Sequence, residues 1–97
     1  METDTFYTYI LTNKGHTVLY IGFTNNLKQR LKQHTYTSSK GFSKKYNVTK
    51  LVWFETNQYV NNAIKREKQI KKWNREWKEN LINTMNPDWN DLSWMIE

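Results

Sequence analysis

Apolar and polar residues alternate along 6–12 and again along 17–21, and both stretches are rich in β-branched and aromatic side chains. Alternation of this kind makes half-buried strands. Asn13, Lys14, Gly15 and His16 lie between them, so the pair reads as a hairpin. A two-residue loop at Lys14-Gly15 would set Tyr9 directly opposite Tyr20 on one face of the sheet. A three-residue loop with a bulge would shift that pairing by one. The period then changes. Leu27, Arg30, Leu31 and His34 recur at helical spacing, with Thr24 or Asn25 as the cap. Residues 35–47 are polar and basic, contain Gly41, and read as a loop. Residues 48–55 include Leu51, Val52, Trp53 and Phe54, a buried third strand. From 57 to about 81, Ile64, Glu67, Ile70, Trp73, Trp77 and Leu81 keep roughly helical spacing, with a break within the stretch. Asn86-Pro87 opens a last short segment, Pro87 suiting a first helical position. Trp89, Leu92 and Trp94 are expected to fold that segment back on the domain.

Ninety-seven residues make a single domain, 1–97, with one core and one site. The five Trp, six Tyr and four Phe compensate for a modest aliphatic content, since each aromatic buries a large area. Cysteine is absent, which excludes disulfides and thiolate metal sites. No stretch approaches the roughly 18 apolar residues of a membrane helix. Met1 to Thr5 is acidic and polar, unlike a signal peptide, so the expected location is the cytoplasm. The net charge of +6 is concentrated in 28–32, 40–50 and 65–78. A polyanion is the natural partner, nucleic acid first among them; a solvated basic face is the plainer alternative.

Arg30, His34 and Glu67 each fall on a helix face that packing would make apolar, and a buried charge is costly unless paired, hydrogen-bonded or used. Periodicity alone favours an internal Arg30–Glu67 ion pair with His34 as a satisfied neighbour. A Tyr9–Tyr20 pair is, by itself, ordinary cross-strand packing. Together, however, these groups suit phosphodiester chemistry. Hydrolysis needs an activated water, stabilisation of charge building on phosphorus and help for the leaving oxygen. Arg30 carries a rigid fork matched to phosphate oxygens. Glu67 is a hard carboxylate able to hold one Mg²⁺ or Mn²⁺, and a single inward carboxylate speaks against a two-metal site. Tyr9 or Tyr20 could take a proton if nearby cations lowered its pKa from about 10, and His34 could relay a proton or hold the phosphate. The segment 38–45, with Lys40, Lys44 and Lys45, could track a nucleic-acid backbone or be an unstructured loop. Lys28 and Lys32 extend that basic character onto the first helix. Trp73 and Trp77 could stack unpaired bases, although core packing is favoured. His16 is expected to be exposed in the hairpin loop. No His/Asp/Glu set has zinc spacing and no Gly-rich loop forms a nucleotide cradle.

Tyr7-Thr8-Tyr9 followed by Tyr20-Ile21-Gly22, then Arg30 and His34 on a helix opened by Thr24-Asn25-Asn26-Leu27, then Ala63-Ile64-Lys65-Arg66-Glu67, resembles the GIY-YIG nuclease family. Asn86-Pro87-Asp88-Trp89-Asn90-Asp91-Leu92 is similar to the ending of its small stand-alone members, which resemble the N-terminal nuclease domain of the excision-repair subunit UvrC. The resemblance runs from Phe6 to Ser93. It implies an α/β fold of α+β type, a three-stranded antiparallel sheet flanked by helices, and an endonuclease that hydrolyses DNA phosphodiesters with one divalent metal. By position, Tyr9 and Tyr20 would be the active-site phenols, one of them general base or water-positioning. Arg30 would bind the scissile phosphate, His34 would assist and Glu67 would ligate the metal. Tyr7 and Gly22 would support the site, and Asn86 matches a late asparagine that in some members does the same; an N-cap ahead of Pro87 is its plainer role. Tyr7 and Thr8 replace the family's glycine and isoleucine. Phe23 stands where the UvrC type has a lysine near the site, a role open to Lys44 or Lys45. The implied substrate is DNA, with RNA open, cut at branched, flapped or single-stranded sites with weak sequence specificity in repair or recombination, with a protein partner for targeting. The alternative is a non-catalytic nucleic-acid-binding module of the same fold.

Overall fold

The computed structural model describes residues 5–36 and 48–96, excluding the side chains of 34–36. Strands β1 (Phe6–Thr12), β2 (Leu19–Thr24) and β3 (Lys50–Asn57) form one antiparallel sheet in the order β2-β1-β3. β1 is central, and from Thr8 to Thr12 every residue is buried. Its two buried threonines are satisfied. Thr8 Oγ1 donates to the Ala63 carbonyl at 3.1 Å and Thr12 Oγ1 to the Val18 carbonyl at 2.7 Å, so neither hydroxyl carries the cost of an unmade bond.

The hairpin forms, but with a different register from the one a Lys14-Gly15 loop would impose. Tyr9 lies opposite Gly22, and Tyr20 opposite Leu11. The cause is Asn13. Its carbonyl accepts from His16 N at 3.0 Å, while its side-chain Oδ1 accepts from Thr17 N (2.8 Å) and Val18 N (3.2 Å). His16 takes a left-handed conformation with φ 57°. Residues 13–18 are thus one side-chain-tied connection, longer than a tight turn. The shift is even, so both tyrosines stay on the same face.

Helix α1 (Leu27–Tyr36) is capped by Asn26 rather than by Thr24 or Asn25. Asn26 Oδ1 accepts from Gln29 N at 3.0 Å, and Thr24 Oγ1 in turn accepts from Asn26 N at 3.1 Å. α1 covers the sheet face of Tyr9, Leu11 and Leu51, burying Leu27 with Val48 and Leu92. Helices α2 (Val60–Lys71) and α3 (Arg75–Met85) cover the opposite face, where Ile10, Ile21, Val52, Trp53, Ile70 and Ile82 meet. A bulge makes this possible: Ile10 pairs with Trp53 and Leu11 with Leu51, leaving Val52 as the extra residue.

The expected break in the long helical stretch falls at Asn74, whose Oδ1 caps α3 by accepting from Trp77 N at 2.9 Å. This restart resets the helical phase. Trp73 stays partly buried, but Trp77 is 55% exposed, against the expectation of core packing. Trp94, expected to fold inward, is also exposed. Asn86 does not open a helix with Pro87; it ends α3. Its Nδ2 donates to the carbonyls of Val52 (3.1 Å) and Asn90 (2.8 Å), and its Oδ1 accepts from Asn90 N (3.1 Å). Past it only a 3-10 turn, Ser93–Met95, follows.

His16 is not a bare loop residue. It stacks on Trp89 with ring centroids 4.9 Å apart, and its Nε2 lies 2.8 Å from Lys50 Nζ. An ammonium only donates, so that nitrogen is the acceptor of a neutral imidazole. Desolvation, then the charges of Lys50 and Arg75, hold its pKa below the usual histidine value. Among the described residues no helix is long and apolar enough to cross a membrane.

Candidate active site

α1 and α2 lie on opposite faces of the sheet, and each contributes a side chain beside the edge strand β2. There they bound an open cleft of about 430 Å³, lined by Tyr9, Tyr20, Gly22, Arg30 and Glu67 together with Phe6, Phe23, Thr24, Asn25 and Val60. Four residues singled out for chemistry in the sequence, one from each of β1, β2, α1 and α2, therefore share one concavity.

Gly22 is what lets them meet. A Cβ on Gly22 would stand 2.6 Å from the Tyr9 hydroxyl oxygen, 2.7 Å from Cζ and 3.2 Å from Tyr20 Cε1. The two Tyr9 distances are shorter than real Cβ contacts, so the phenol of Tyr9 lies directly over the glycine. Because Gly22 is Tyr9's cross-strand partner, the missing side chain leaves a slot through which a residue of the central strand reaches the sheet edge. The rings of Tyr9 and Tyr20 are tilted by 34° with centroids 6.4 Å apart.

The two phenols differ in environment. Tyr9 is 1% exposed and Tyr20 only partly buried. Burial pushes the Tyr9 phenol well above its ordinary pKa; Tyr20 and Glu67 add to the rise and Arg30 opposes it. Tyr9 is therefore a protonated hydrogen-bond donor at neutral pH.

Glu67 is 9% exposed, and its Oε2 pairs with Lys71 Nζ at 2.6 Å, one helical turn on. The internal partner of this carboxylate is thus Lys71 and not Arg30, which corrects the ion pair expected from periodicity. Lys71 escaped the sequence reading, although its i,i+4 position was a usable signal. Phe6, Phe23, Thr24, Asn25 and Val60 also escaped as cleft residues, since none carries a distinctive charge.

Other expected site residues lie elsewhere. Tyr7 packs on Phe54 (centroids 6.4 Å, 55°) and does not line the cleft. Asn86 is spent on Val52 and Asn90. Lys28 and Lys32 are exposed on α1. The side chain of His34 and the whole of Lys40, Lys44 and Lys45 lie outside the described residues.

Among the described residues no cluster of three or more His, Asp or Glu could cage a metal. The donor set nevertheless fits one hydrated hard cation. A carboxylate buried in a helix faces an open cleft, and Mg²⁺ typically keeps several waters while taking one or two carboxylates plus substrate phosphate.

The family profile of the GIY-YIG catalytic domain matches residues 5–80. A UPF0213 protein of Clostridium perfringens is 38% identical over 78 residues, covering 80% of this chain and 83% of its own length. One from Syntrophus aciditrophicus is 38% identical over 86 residues, covering 84% and 93%. The solution NMR structure of a UPF0213 protein from Bacillus halodurans shares the fold, with a TM-score of 0.58 at 23% identity over 90% of this chain and 92% of that one. The chain belongs to the GIY-YIG family, and the sequence relatives it matches are small proteins of similar extent.

Proposed function

We propose that this chain is a divalent-metal-dependent endonuclease that hydrolyses DNA phosphodiesters at the β2-edge cleft. The observation that carries the reading is the convergence of Tyr9, Tyr20, Arg30 and Glu67 on one cleft around Gly22. Neither packing nor an Arg30–Glu67 ion pair accounts for it. The Arg30 guanidinium binds the non-bridging oxygens of the scissile phosphate and opposes the charge that grows there. Glu67 would hold the cation, which would supply Lewis-acid stabilisation of the phosphate. Tyr9, protonated, donates a hydrogen bond that orients water or phosphate. Tyr20, the more exposed phenol, is assigned the contact with the attacking water: it takes water's proton as its own hydroxyl proton passes on to solvent, while water's oxygen bonds to phosphorus. The ester P–O bond breaks, leaving one phosphate monoester and one free hydroxyl. His34, one turn beyond Arg30 on α1, assists by holding phosphate or passing the proton. Lys28, Lys32, Lys40, Lys44 and Lys45 supply phosphate contacts that position the strand without reading its sequence.

On this reading cleavage is directed by nucleic-acid shape more than by sequence, in repair- or recombination-type processing in the cytoplasm, with a partner protein for targeting. The rival, a non-catalytic nucleic-acid-binding module, draws support from the Glu67–Lys71 ion pair, which already satisfies one carboxylate oxygen. A panel of labelled single-stranded, duplex, flap and four-way-junction DNA, plus RNA, with Mg²⁺, Mn²⁺ or chelator, separates the two. Metal-dependent cuts that vanish in Glu67→Ala support the nuclease. Salt-sensitive binding without cleavage of any substrate supports the binding module.

A further inference from the structure

Helix α2 turns two unlike surfaces outward. Glu67 faces the β2-edge cleft, while Lys65, Lys68, Gln69 and Lys72 line a separate shallow groove of about 700 Å³ that ends on Trp73. All three lysines are exposed, and among the described residues none of them is held in an ion pair. The aromatic end of the groove is rigid. Arg66 lies over the Trp73 ring at 5.4 Å, and is itself fixed by Glu55 (3.1 Å) and Gln69 (3.0 Å). Trp77 stands edge-on to Trp73, with centroids 5.9 Å apart at 76°, and remains 55% exposed. An exposed indole, Trp77, set edge-on against Trp73 at the groove's end, beside three ammonium groups outside any ion pair among the described residues, matches the repeating chemistry of an unpaired nucleic-acid strand, a flat base followed by a phosphate. A duplex hides its base faces, and an acidic peptide offers the charge without the stacking partner.

We propose that this groove and the Trp77 ring beside its Trp73 end form a second nucleic-acid contact, in which an unpaired base stacks on Trp77 and its flanking phosphates lie along Lys65, Lys68 and Lys72. It deepens the nuclease reading, on which it rests for the identity of the strand. It gives the protein a hold on single-stranded segments outside the cleft that cuts them.

The test uses full-length protein carrying Glu67→Gln, so that binding is read without cleavage. The probes are a short single-stranded deoxythymidine oligonucleotide, a duplex of the same length and polyglutamate, followed by tryptophan quenching and anisotropy. Trp77→Ala should weaken single-strand binding about tenfold and change duplex binding less than twofold. Lys68→Ala should lower the single-strand salt slope by about 0.7. Circular dichroism checks that both variants fold; Trp77→Phe, which keeps an aromatic face, should restore most of the affinity. Equal loss on single strand and duplex, no loss on either, or equal quenching of Trp77 by polyglutamate would overturn the proposal. Cleavage by the Glu67 protein without a Trp77 effect sinks the groove alone. A Trp77 effect in a protein that cuts nothing sustains the groove and removes the nuclease.

Discussion

The two edges of the sheet use similar residue types in opposite ways. At the β3 edge the C-terminal segment closes over the strand. Leu92 N donates to the Leu51 carbonyl at 2.7 Å, Asp91 Oδ1 accepts from Leu51 N at 3.2 Å, and Asn86 binds the Val52 carbonyl. Every polar group named there is consumed by the chain itself, which satisfies backbone atoms that would otherwise be exposed on an edge. At the β2 edge the described residues form an open cleft instead. A glycine removes bulk, and two phenols, a guanidinium and a carboxylate from four elements face an open cleft. Polar side chains at one edge complete the fold, and at the other they line an open cleft.

Substitutions that cross this division should separate stability from activity. Gly22→Ala has the largest expected effect. Its Cβ would collide with the ring of Tyr9, which is 1% exposed and would have to shift. Overpacking of this kind costs about 1–3 kcal/mol, and cleavage should fall further than the unfolded fraction explains. Denaturant midpoints beside rates per folded protein would show this, and a variant as stable and active as wild type would remove Gly22 from the site. Asn86→Ala should do the reverse. It leaves the Val52 carbonyl without its side-chain donor, costing about 1–3 kcal/mol, while the rate per folded molecule stays unchanged. A cleavage defect in fully folded Asn86→Ala would return this residue to the site.

Smaller effects sharpen the picture within the β2 edge. The Tyr9 phenol has a raised pKa in the folded chain, so the unfolded chain releases that proton first as pH rises. The stabilisation is fully present below about pH 10, the ordinary phenol value, and declines above it toward the folded-state pKa. Tyr9→Phe should flatten that alkaline decline in urea midpoints, and an unchanged slope would contradict the buried, protonated assignment. Lys71→Ala should tighten Mn²⁺ binding, read by calorimetry, by no more than about fivefold, the ceiling for a partly exposed ion pair. Unaltered or weaker binding would show that Lys71 and the cation do not contend for Glu67.

Much of this was legible before the structure. Period-two stretches marked the hairpin, the apolar run Leu51 to Phe54 marked the third strand, and Ile64, Glu67 and Ile70 traced α2. Arg30 and Glu67 stood out because a charge interrupted an apolar stripe, whereas Tyr9 and Tyr20, ordinary cross-strand packing by themselves, stood out through the family motif. The rest depended on side chains acting on backbone at a distance that periodicity does not record. Asn13 sets the loop length and hence the register. Asn74 restarts the helix and so turns Trp77 outward. Asn86 had two sequence roles, cap or site, and the structure gives it a third, as a tie to β3.

The central claim is that the β2 edge acts as one unit, and a double-mutant cycle on cleavage tests it most directly. Rates would be measured for wild type, Arg30→Ala, Glu67→Ala and the double variant, at saturating Mg²⁺ on the preferred substrate. The account predicts that each single change costs about 10²–10³ in rate. It also predicts that the double variant is little worse than the poorer single, because both groups act on the same phosphate. Multiplying losses, or cleavage by Glu67→Ala at the wild-type rate, would contradict it.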